Sequence, residues 1–420
     1  MRVYLDYNAT TPMAPEVLDA MLPYFSERFA NASSIHSEGQ RARYAVEGAR
    51  ESVAALIGAK PAEIFFTSGG TEADNLAIFG TVAAANAGAE AAAKTAGGTK
   101  TGGASPAPTS ARENARHVIT SAIEHHAVLN ACQKLERDGV EVSYVRVGAD
   151  GIVDPEEIRR ALRPSTVLIS IMHANNELGT IQPIEAIGEI AREAGITFHT
   201  DAVQAAGKLP LDVKRLGVNL LSLSAHKIYG PKGTGALFVK SGTRLHPMFY
   251  GGHHERDKRP GTENVAGIVG LGRAAESARA LLDENAVRVA AMRDRFESTI
   301  LETVPQCRVN GNRERRVANT TNMTFAAAEG ESLVIALDLR GVACSTGAAC
   351  SSGAVEPSHV LTAIGLTPEE GRSSIRFSLG RTTLDAEIDF AVSAMRDAVE
   401  HLREISPTYR KTAAVPTTQR

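Results

Sequence analysis

The sequence predicts an α/β protein in which a mostly parallel sheet, covered by helices on both faces, is followed by a smaller α+β unit. Seven short apolar runs rich in branched residues alternate with helical patterns between residues 64 and 240. Strands that alternate with helices form parallel sheets. After about residue 264 a long helical stretch precedes three more short strands, and 420 residues are too many for a single core.

The expected strands are, in order, residues 64–68, 117–122, 140–147, 166–172, 196–200, 220–224 and 235–240, then 307–310, 318–325 and 374–378. Helix starts support this alternation. For example, Thr367, Pro368 and Glu370 combine a capping side chain, a first-turn proline and an acid three residues after the cap. This order is typical of a helix N-terminus.

One segment departs from the globular pattern. Between Val82 and Arg112, 17 of 31 residues are alanine or glycine and none is aromatic. Such a segment buries too little apolar surface to offset its ordering entropy, and although alanine favours helix, the run GGTKTGGASPAP argues against one. We therefore predict a flexible surface insertion over residues 82–112.

Charge and composition exclude several classes of protein. The 45 basic and 48 acidic residues give a net charge of −3 without blocks of like charge, so a nucleic-acid partner is not expected. No apolar run is long enough to cross a membrane, and the first residues lack the apolar stretch of a signal peptide, which indicates a cytoplasmic protein. The four cysteines form no disulfide framework and no CxxC metal pair, which leaves room for a reactive thiol.

Polar residues follow the expected strands at the edge where parallel sheets bind ligands. After the first strand, Gly69 and Gly70 let the backbone curl, and Thr71 opens a helix whose free N–H groups favour an anion. Asp201 ends an otherwise apolar strand, where a carboxylate needs a cationic or protonated partner. A plain turn and a structural salt bridge are the alternative interpretations.

A lysine follows the strand over residues 220–224. Ser224 and His226 flank Lys227 in a turn rich in glycine and proline. A lysine held at a buried strand end loses its proton more readily, as a covalent-bond-forming amine requires, whereas an isolated lysine is usually a solvated surface residue. Together with Asp201 and the anion-binding helix start, Lys227 describes a site for pyridoxal phosphate, which needs a lysine, an acid for its ring nitrogen and a phosphate cradle.

Three more residues suit chemistry at this site. His125 has a side chain able to lie on a planar cofactor and exchange protons near neutral pH, although a capping or core histidine is the simpler interpretation. Cys350 lies among small and polar residues without hydrophobic periodicity, as an accessible nucleophile on a loop requires. Arg376 is a strand residue able to bind a carboxylate through two hydrogen bonds, or to form a structural ion pair.

Together these segments resemble the cysteine desulfurases of the NifS/IscS type, in the class-V aminotransferase group of fold-type-I pyridoxal phosphate enzymes. The matching segments span nearly the whole chain. They are YLDYNATTP (4–12), NASSIH (31–36), TSGGTEADN (67–75), EHHAVL (124–129), HANNELGT (173–180), HTDAVQAAGK (199–208), SAHKIYGPKG (224–233), GGHHERDKRPGTEN (251–264), CSTGAACSSG (344–353) and SSIRFSLGR (373–381).

The resemblance implies a domain division and a role for each site residue. It implies a large domain over residues 15–263 with a seven-stranded sheet, a small α+β domain over 1–14 and 264–405, and a tail over 406–420. It also implies that Lys227 holds the cofactor, His125 stacks on it and shuttles protons, Arg376 binds the substrate carboxylate, and Cys350 receives the sulfur. The remaining implied cofactor contacts are Asp201 to the ring nitrogen, Asn176 and Gln204 to the ring hydroxyl, and Gly70, Thr71, Ser224, His226 and, from a neighbouring subunit, Thr262 to the phosphate.

The implied activity is conversion of L-cysteine to L-alanine by a homodimer. Lys227 removes the Cα proton, and the Cys350 thiolate attacks the substrate sulfur and becomes a persulfide. The spacing from Cys350 to Arg376 resembles the long-loop group, which implies transfer to a protein acceptor such as an iron–sulfur scaffold or a tRNA-thiolation relay. Cys344 stands where the family more often has a small residue; it either packs as an apolar group or forms a disulfide with Cys350 or resolves the persulfide.

Two kinds of alternative remain open at this point. One is a different pyridoxal phosphate reaction on the same fold, such as selenocysteine lysis or transamination, for which Cys350 is less necessary or unnecessary. The other is a catalytically silent scaffold that only binds partners. The presence of Lys227, Asp201, His125 and Cys350 together argues against the scaffold.

Overall fold

The computed structural model describes residues 1–96, 116–347, 357–406 and 409, with side chains placed up to residue 89 in the first range. The helices are α1 (Pro15–Met21), α2 (Pro23–Ser26), α3 (Ser37–Leu56), α4 (Gly70–Ala96), α5 (His126–Arg137), α6 (Pro155–Ala161), α7 (Ile184–Ala194), α8 (Val213–Leu216), α9 (Val265–Ala280), α10 (Leu282–Thr303), α11 (Gly330–Leu339), α12 (His359–Ala363), α13 (Pro368–Arg372) and α14 (Asp385–Ile405). The strands are β1 (Val3–Tyr4), β2 (Ile64–Thr67), β3 (His117–Ser121), β4 (Glu141–Val145), β5 (Thr166–Ser170), β6 (Thr197–Asp201), β7 (Leu220–Ser224), β8 (Gly235–Val239), β9 (Cys307–Val309), β10 (Thr320–Phe325), β11 (Val342–Ala343) and β12 (Ser374–Ser378).

The main sheet has seven strands in the order β2-β8-β7-β6-β5-β3-β4. Strands β3 to β7 run parallel, and β8 runs antiparallel to both of its neighbours, β2 and β7. Every residue of β2, β3, β7 and β8 is buried, which explains why these strands are mostly apolar and show no alternation of apolar and polar residues. The predicted α/β fold with a mostly parallel sheet is confirmed.

A second core lies against a three-stranded antiparallel sheet of order β12-β10-β9. Its fully buried aromatic side chains are Phe296 of α10, Phe325 of β10 and Phe377 of β12, and the rings of Phe296 and Phe377 lie 4.9 Å apart. Helices α11 and α14 cover this core. Helix α9, by contrast, packs on α3 and belongs to the core of the main sheet.

The N-terminal segment connects the two cores. Strand β1 pairs in parallel with β11, and the next residues bond both to the small sheet, through the N–H of Tyr7 to the carbonyl of Ser378, and to the main sheet, through the N–H of Thr11 to the carbonyl of His226. Strands β1 and β11 are absent from the sequence prediction because two residues are too few to show a periodicity.

The expected flexible insertion requires a correction. Residues 82–96 continue α4, so the helical propensity of the alanine-rich stretch prevails there over the glycines that follow. Residues 97–115 lie outside the described part of the chain. Across the described ranges, no helix combines the length and apolar character needed to cross a bilayer.

Candidate active site

Lys227 lies at the carboxyl end of β7, where Ala225–Lys227 form one turn of 3-10 helix. Its Nζ donates to two backbone carbonyl oxygens of the N-terminal segment, those of Asn8 and Ala9, the latter at 2.8 Å. The amine is therefore held where the N-terminal segment crosses the end of the sheet. The position of Lys227 at the end of a buried strand is the one expected from the sequence.

Asp201 is the last residue of the neighbouring strand β6. Its Oδ1 accepts the N–H of Val203 at 2.9 Å. Burial raises the pKa of Asp201 to about 6, and the charge of Lys227 acts in the opposite direction. The two predicted groups thus lie within electrostatic reach of one another at one edge of the sheet.

Two further buried carboxyl groups, Asp74 and Glu124, lie close enough to Asp201 for their charges to interact. Burial raises the pKa of Glu124 to about 8, and burial together with the charge of Asp201 raises the pKa of Asp74 well above its usual range. Because like charges cannot all ionise away from water, the group with the lowest pKa carries the charge. The charge of Lys227 favours the ionised form of Asp201.

This arrangement predicts a pH-dependent effect of Glu124→Gln. Because the folded-state pKa of Glu124 lies above its usual 4.5, its contribution to stability is complete below about pH 4.5 and is lost as the pH rises through about 8. The amide mimics the protonated acid, so the variant is expected to gain stability relative to the wild type over this range, on the order of a few kcal/mol.

Thermal unfolding at pH 5 and pH 9 measures this gain. The exposed Glu400→Gln is the matched control, with the same difference from the wild type at both pH values. An identical difference for Glu124→Gln at the two pH values would show that Glu124 titrates normally.

The start of α4 forms a cradle suited to a phosphate group. A Cβ atom at Gly70 would lie 2.8 Å from Cγ2 of Val203 and 3.6 Å from Cβ of Ser224, so only glycine fits and its backbone approaches both strand ends. The unpaired N–H groups of the first turn of α4 favour an anion here. His226 is fixed beside Ser224 by a 3.2 Å hydrogen bond between its Nδ1 and Oγ1 of Thr10.

His125 caps the N-terminus of α5. Its Nδ1 accepts the N–H of Ala127 at 3.1 Å, so in this arrangement the ring hydrogen is on Nε2. Burial, together with the charge of Lys227, lowers the pKa of His125 to about 4. The sequence left a capping role and a place near the cofactor lysine as alternatives for His125, and the structure shows both. The ring is neutral at pH 7.

Asn8 gathers several of the predicted residues. Its backbone carbonyl accepts Nε2 of Gln204 at 3.0 Å as well as Nζ of Lys227, and its Nδ2 donates to the carbonyl of Asn176 at 3.1 Å. The same carbonyl of Asn176 accepts Nη1 of Arg376 at 3.1 Å. Asn8 thus positions residues that come from three distant parts of the chain.

Arg376 lies on β12 and is 2% exposed. Its Nη2 pairs with Oδ1 of Asp6 at 2.6 Å, so the ion pair considered from the sequence exists. Its buried Nε has no hydrogen-bond partner among the described residues. An unsatisfied guanidinium N–H at the junction of the two cores is a donor able to bind a carboxylate.

The remaining predicted residues are two exposed threonines, Thr71 and Thr262, and two cysteines, Cys344 and Cys350. Thr71 and Thr262 are exposed, and Thr262 follows three successive residues with positive φ, Glu255–Asp257. Cys350 lies outside the described residues. Cys344 is a free cysteine in the second core, 9% exposed, and burial raises the pKa of its thiol, which supports the apolar-packing interpretation over a redox role.

Two polar residues of this site were not predicted from the sequence. Asn8 and Lys208 lie in the segments YLDYNATTP and HTDAVQAAGK, which served only to show the resemblance. Their contacts join residues about 200 positions apart, and no local pattern encodes such pairs.

The residues present fit pyridoxal 5′-phosphate. Lys227 supplies the amine, Asp201 the charged partner for a protonated ring nitrogen, and the Gly70 helix start the phosphate cradle. When bound, this group supplies an electron sink for bond cleavage at the substrate Cα. In the described residues, no three His, Cys, Asp or Glu side chains are grouped to bind a metal ion.

Comparison with known proteins identifies the class. The chain matches the model of the family described as aminotransferase class-V over residues 3–99 and 95–390. A solved structure described as a NifS-like protein superimposes with a TM-score of 0.82 at 34% identity, covering 96% of this chain and 100% of that one. The fold and the site are therefore those of a class-V aminotransferase, a family whose members depend on pyridoxal phosphate.

Closer relatives narrow the class. The cysteine desulfurase IscS of Dictyoglomus turgidum is 47% identical over 405 residues, which cover 96% of each chain, and that of Methanosarcina thermophila is 47% identical over 96% of this chain and 94% of its own. A structure described as SspA in complex with cysteine has a TM-score of 0.76 at 38% identity, over 91% of this chain and 100% of that one. The chain belongs to the cysteine desulfurases within the class-V aminotransferase family.

Proposed function

We propose that this cysteine desulfurase converts L-cysteine to L-alanine at the site around Lys227 and transfers the sulfur to Cys350. The observation that carries the proposal is the meeting of Lys227, Asp201 and the Gly70 helix start at one edge of the sheet. Arg376 binds the substrate carboxylate through its Nε and the remaining hydrogens of its Nη groups. Lys227 takes the Cα proton. Two backbone carbonyl oxygens hold its amine at this site.

In the transfer step the bond between substrate Cβ and Sγ breaks as the sulfur bonds to Sγ of Cys350. The substrate carbon keeps the electron pair and is protonated to give alanine, and the enzyme keeps a persulfide. The geometry of His125 bears on the proton of the Cys350 thiol. Because Nδ1 accepts the N–H of Ala127 and the pKa of His125 is lowered to about 4, protonation of the ring would disrupt the helix cap. His125 therefore acts by stacking and by donating through Nε2, and the bound substrate is the better proton acceptor.

Arg376→Lys tests the proposed substrate contact. The ammonium group of lysine has no counterpart of Nε, so kcat/KM for L-cysteine is expected to fall about 10- to 100-fold, mostly because KM rises. A loss of this size corresponds to one charge-assisted hydrogen bond. Steady-state alanine formation measures this change. Inhibition by cysteamine, which lacks the carboxylate, is the matched control and is expected to be unchanged; an equal loss for both compounds would mean that Arg376 serves only the fold.

The proposed active form is a homodimer in which Thr262 of the second subunit completes the phosphate cradle. Because Thr262 is exposed, it is accessible to the phosphate cradle of a second subunit. Large apolar side chains are also exposed around α2 and α3 and beside the Thr262 segment, and water-soluble monomers rarely expose so many. These residues are Phe25, Phe29, Ile35, Tyr44 and Tyr250, each at least 63% exposed.

We further propose delivery of the persulfide sulfur to a protein acceptor in the cytoplasm, an iron–sulfur scaffold first and a tRNA-thiolation relay as the alternative. The IscS names of the relatives and the long spacing between Cys350 and Arg376 support this assignment. The proposed domains are residues 15–263 and residues 1–14 with 264–405. The two separate hydrophobic cores support a division into two units, although α9 packs in the core of the large one and places the structural boundary after it.

A further inference from the structure

Lys208 occupies an unusual position directly beside the proposed cofactor residues. It follows β6 by seven positions, and its Nζ donates to Oε1 of Gln204 at 2.6 Å and to Oδ1 of Asn8 at 3.2 Å. Burial, together with the charges of Lys227 and Arg376, lowers the pKa of Lys208 to about 7. Burying a lysine beside two other cationic residues destabilises the folded protein. The hydrogen bonds of Lys208 to site residues therefore indicate a role in the site.

These hydrogen bonds determine which way the amide of Gln204 points. Its oxygen accepts Lys208, and its nitrogen donates to the carbonyl of Asn8. An amide nitrogen carries two hydrogens, so one remains for a ligand. If the amide were reversed, its oxygen would face the carbonyl oxygen of Asn8, and neither of these two atoms can donate a hydrogen bond. Only the observed orientation satisfies all three residues.

Lys227 and Lys208 also share Asn8 as a hydrogen-bond partner. Lys227 donates to the backbone carbonyl of Asn8 and Lys208 to its side chain. Both lysines line one small cleft between the two cores, together with Tyr7, Tyr229 and Asn319. The side chain of Asn319 donates to the same Oδ1 of Asn8 at 3.0 Å. A change at Lys208 therefore acts on the cofactor site through Gln204 and Asn8.

We propose that Lys208 is a positioning residue for the cofactor: it holds the amide of Gln204 so that an Nε2 hydrogen faces the cofactor's ring hydroxyl. This inference rests on the proposed roles of Lys227 and Gln204. It adds a residue that touches neither substrate nor cofactor and that acts only through the orientation of another side chain.

A double-mutant cycle on cofactor retention tests the proposal. The full-length holoenzyme is diluted, and the rate at which it loses its visible absorbance is measured for the wild type, Lys208→Met, Gln204→Ala and the double variant. Each single change is expected to speed the loss about tenfold, and the double variant to lose the cofactor no faster than Gln204→Ala, because interacting residues are not additive. Lys214→Met, an exposed lysine, is the matched control with no effect.

Two results would overturn the proposal: a Lys208→Met rate equal to that of the wild type, or a double variant about a hundredfold faster, which would show that Lys208 acts independently of Gln204. Lys208→Ala, crossed with Gln204→Ala in the same way, provides a second cycle if the methionine variant does not fold. Borohydride reduction followed by peptide mapping separates this inference from its premise. A label away from Lys227 in the wild type would contradict the proposed function, whereas a label on Lys227 with an additive cycle would contradict only the role of Lys208.

Discussion

Replacing Lys227 by alanine is expected to abolish desulfurase turnover, by roughly 10⁴-fold, since one change removes both the covalent attachment of the cofactor and the base for the Cα proton. The visible absorption of the holoenzyme is expected to disappear with it. The carbonyl groups of Asn8 and Ala9, which accept Nζ of Lys227, are left for water to satisfy. Alanine release from L-cysteine and the absorption spectrum of the purified protein measure the two effects.

The control for this change is Lys240→Ala, because Lys240 is an exposed lysine just after β8. It is expected to leave both the spectrum and the turnover unchanged. A Lys227→Ala protein that keeps its visible band and its turnover would show that another amine holds the cofactor. A wild-type protein that remains colourless after incubation with pyridoxal phosphate would favour the silent-scaffold alternative.

Replacing Cys350 by serine is expected to reduce alanine formation from L-cysteine to below about 1% while the visible band persists. A hydroxyl is a poor acceptor for the substrate sulfur, because only a thiolate is nucleophilic enough at neutral pH. The loss therefore falls on sulfur transfer and not on cofactor binding. Alanine formed in a single turnover and persulfide trapped by alkylation measure the step directly.

Cys344→Ala is the matched control, because Cys344 is the neighbouring cysteine and is buried in the second core. It is expected to keep most of the activity and to lose only some stability. Full activity of Cys350→Ser with L-cysteine would contradict the persulfide mechanism. Activity retained only with selenocysteine would instead support the lysis alternative.

The sheet could be predicted because its strands are buried on both faces and so are mostly apolar, as β7 and β8 show. For the same reason Asp201 and Lys227 could be singled out, since each lies at the end of such a strand. The antiparallel direction of β8 was not predicted, although the short connection over residues 225–234 is better suited to an antiparallel pair than to a parallel crossover.

The supporting residues of the site escaped prediction for a different reason. Asn8 and Lys208 are ordinary polar residues in sequence, and their importance comes only from hydrogen bonds made after the two cores are in place. The continuation of α4 through residues 82–96 was missed because the glycines beyond that point were given more weight than the alanines within it.

The crossing of the N-terminal segment over both cores sets the order in which the molecule matures. Asn8 and Ala9 are synthesised long before the segments that hold this crossing in place, since β1 pairs with β11 and Tyr7 bonds to Ser378. Contacts so distant along the chain form late in folding. Lys227 is therefore synthesised before the strands that fix its carbonyl partners, and a competent cofactor site arises only once β11 and β12 are in place.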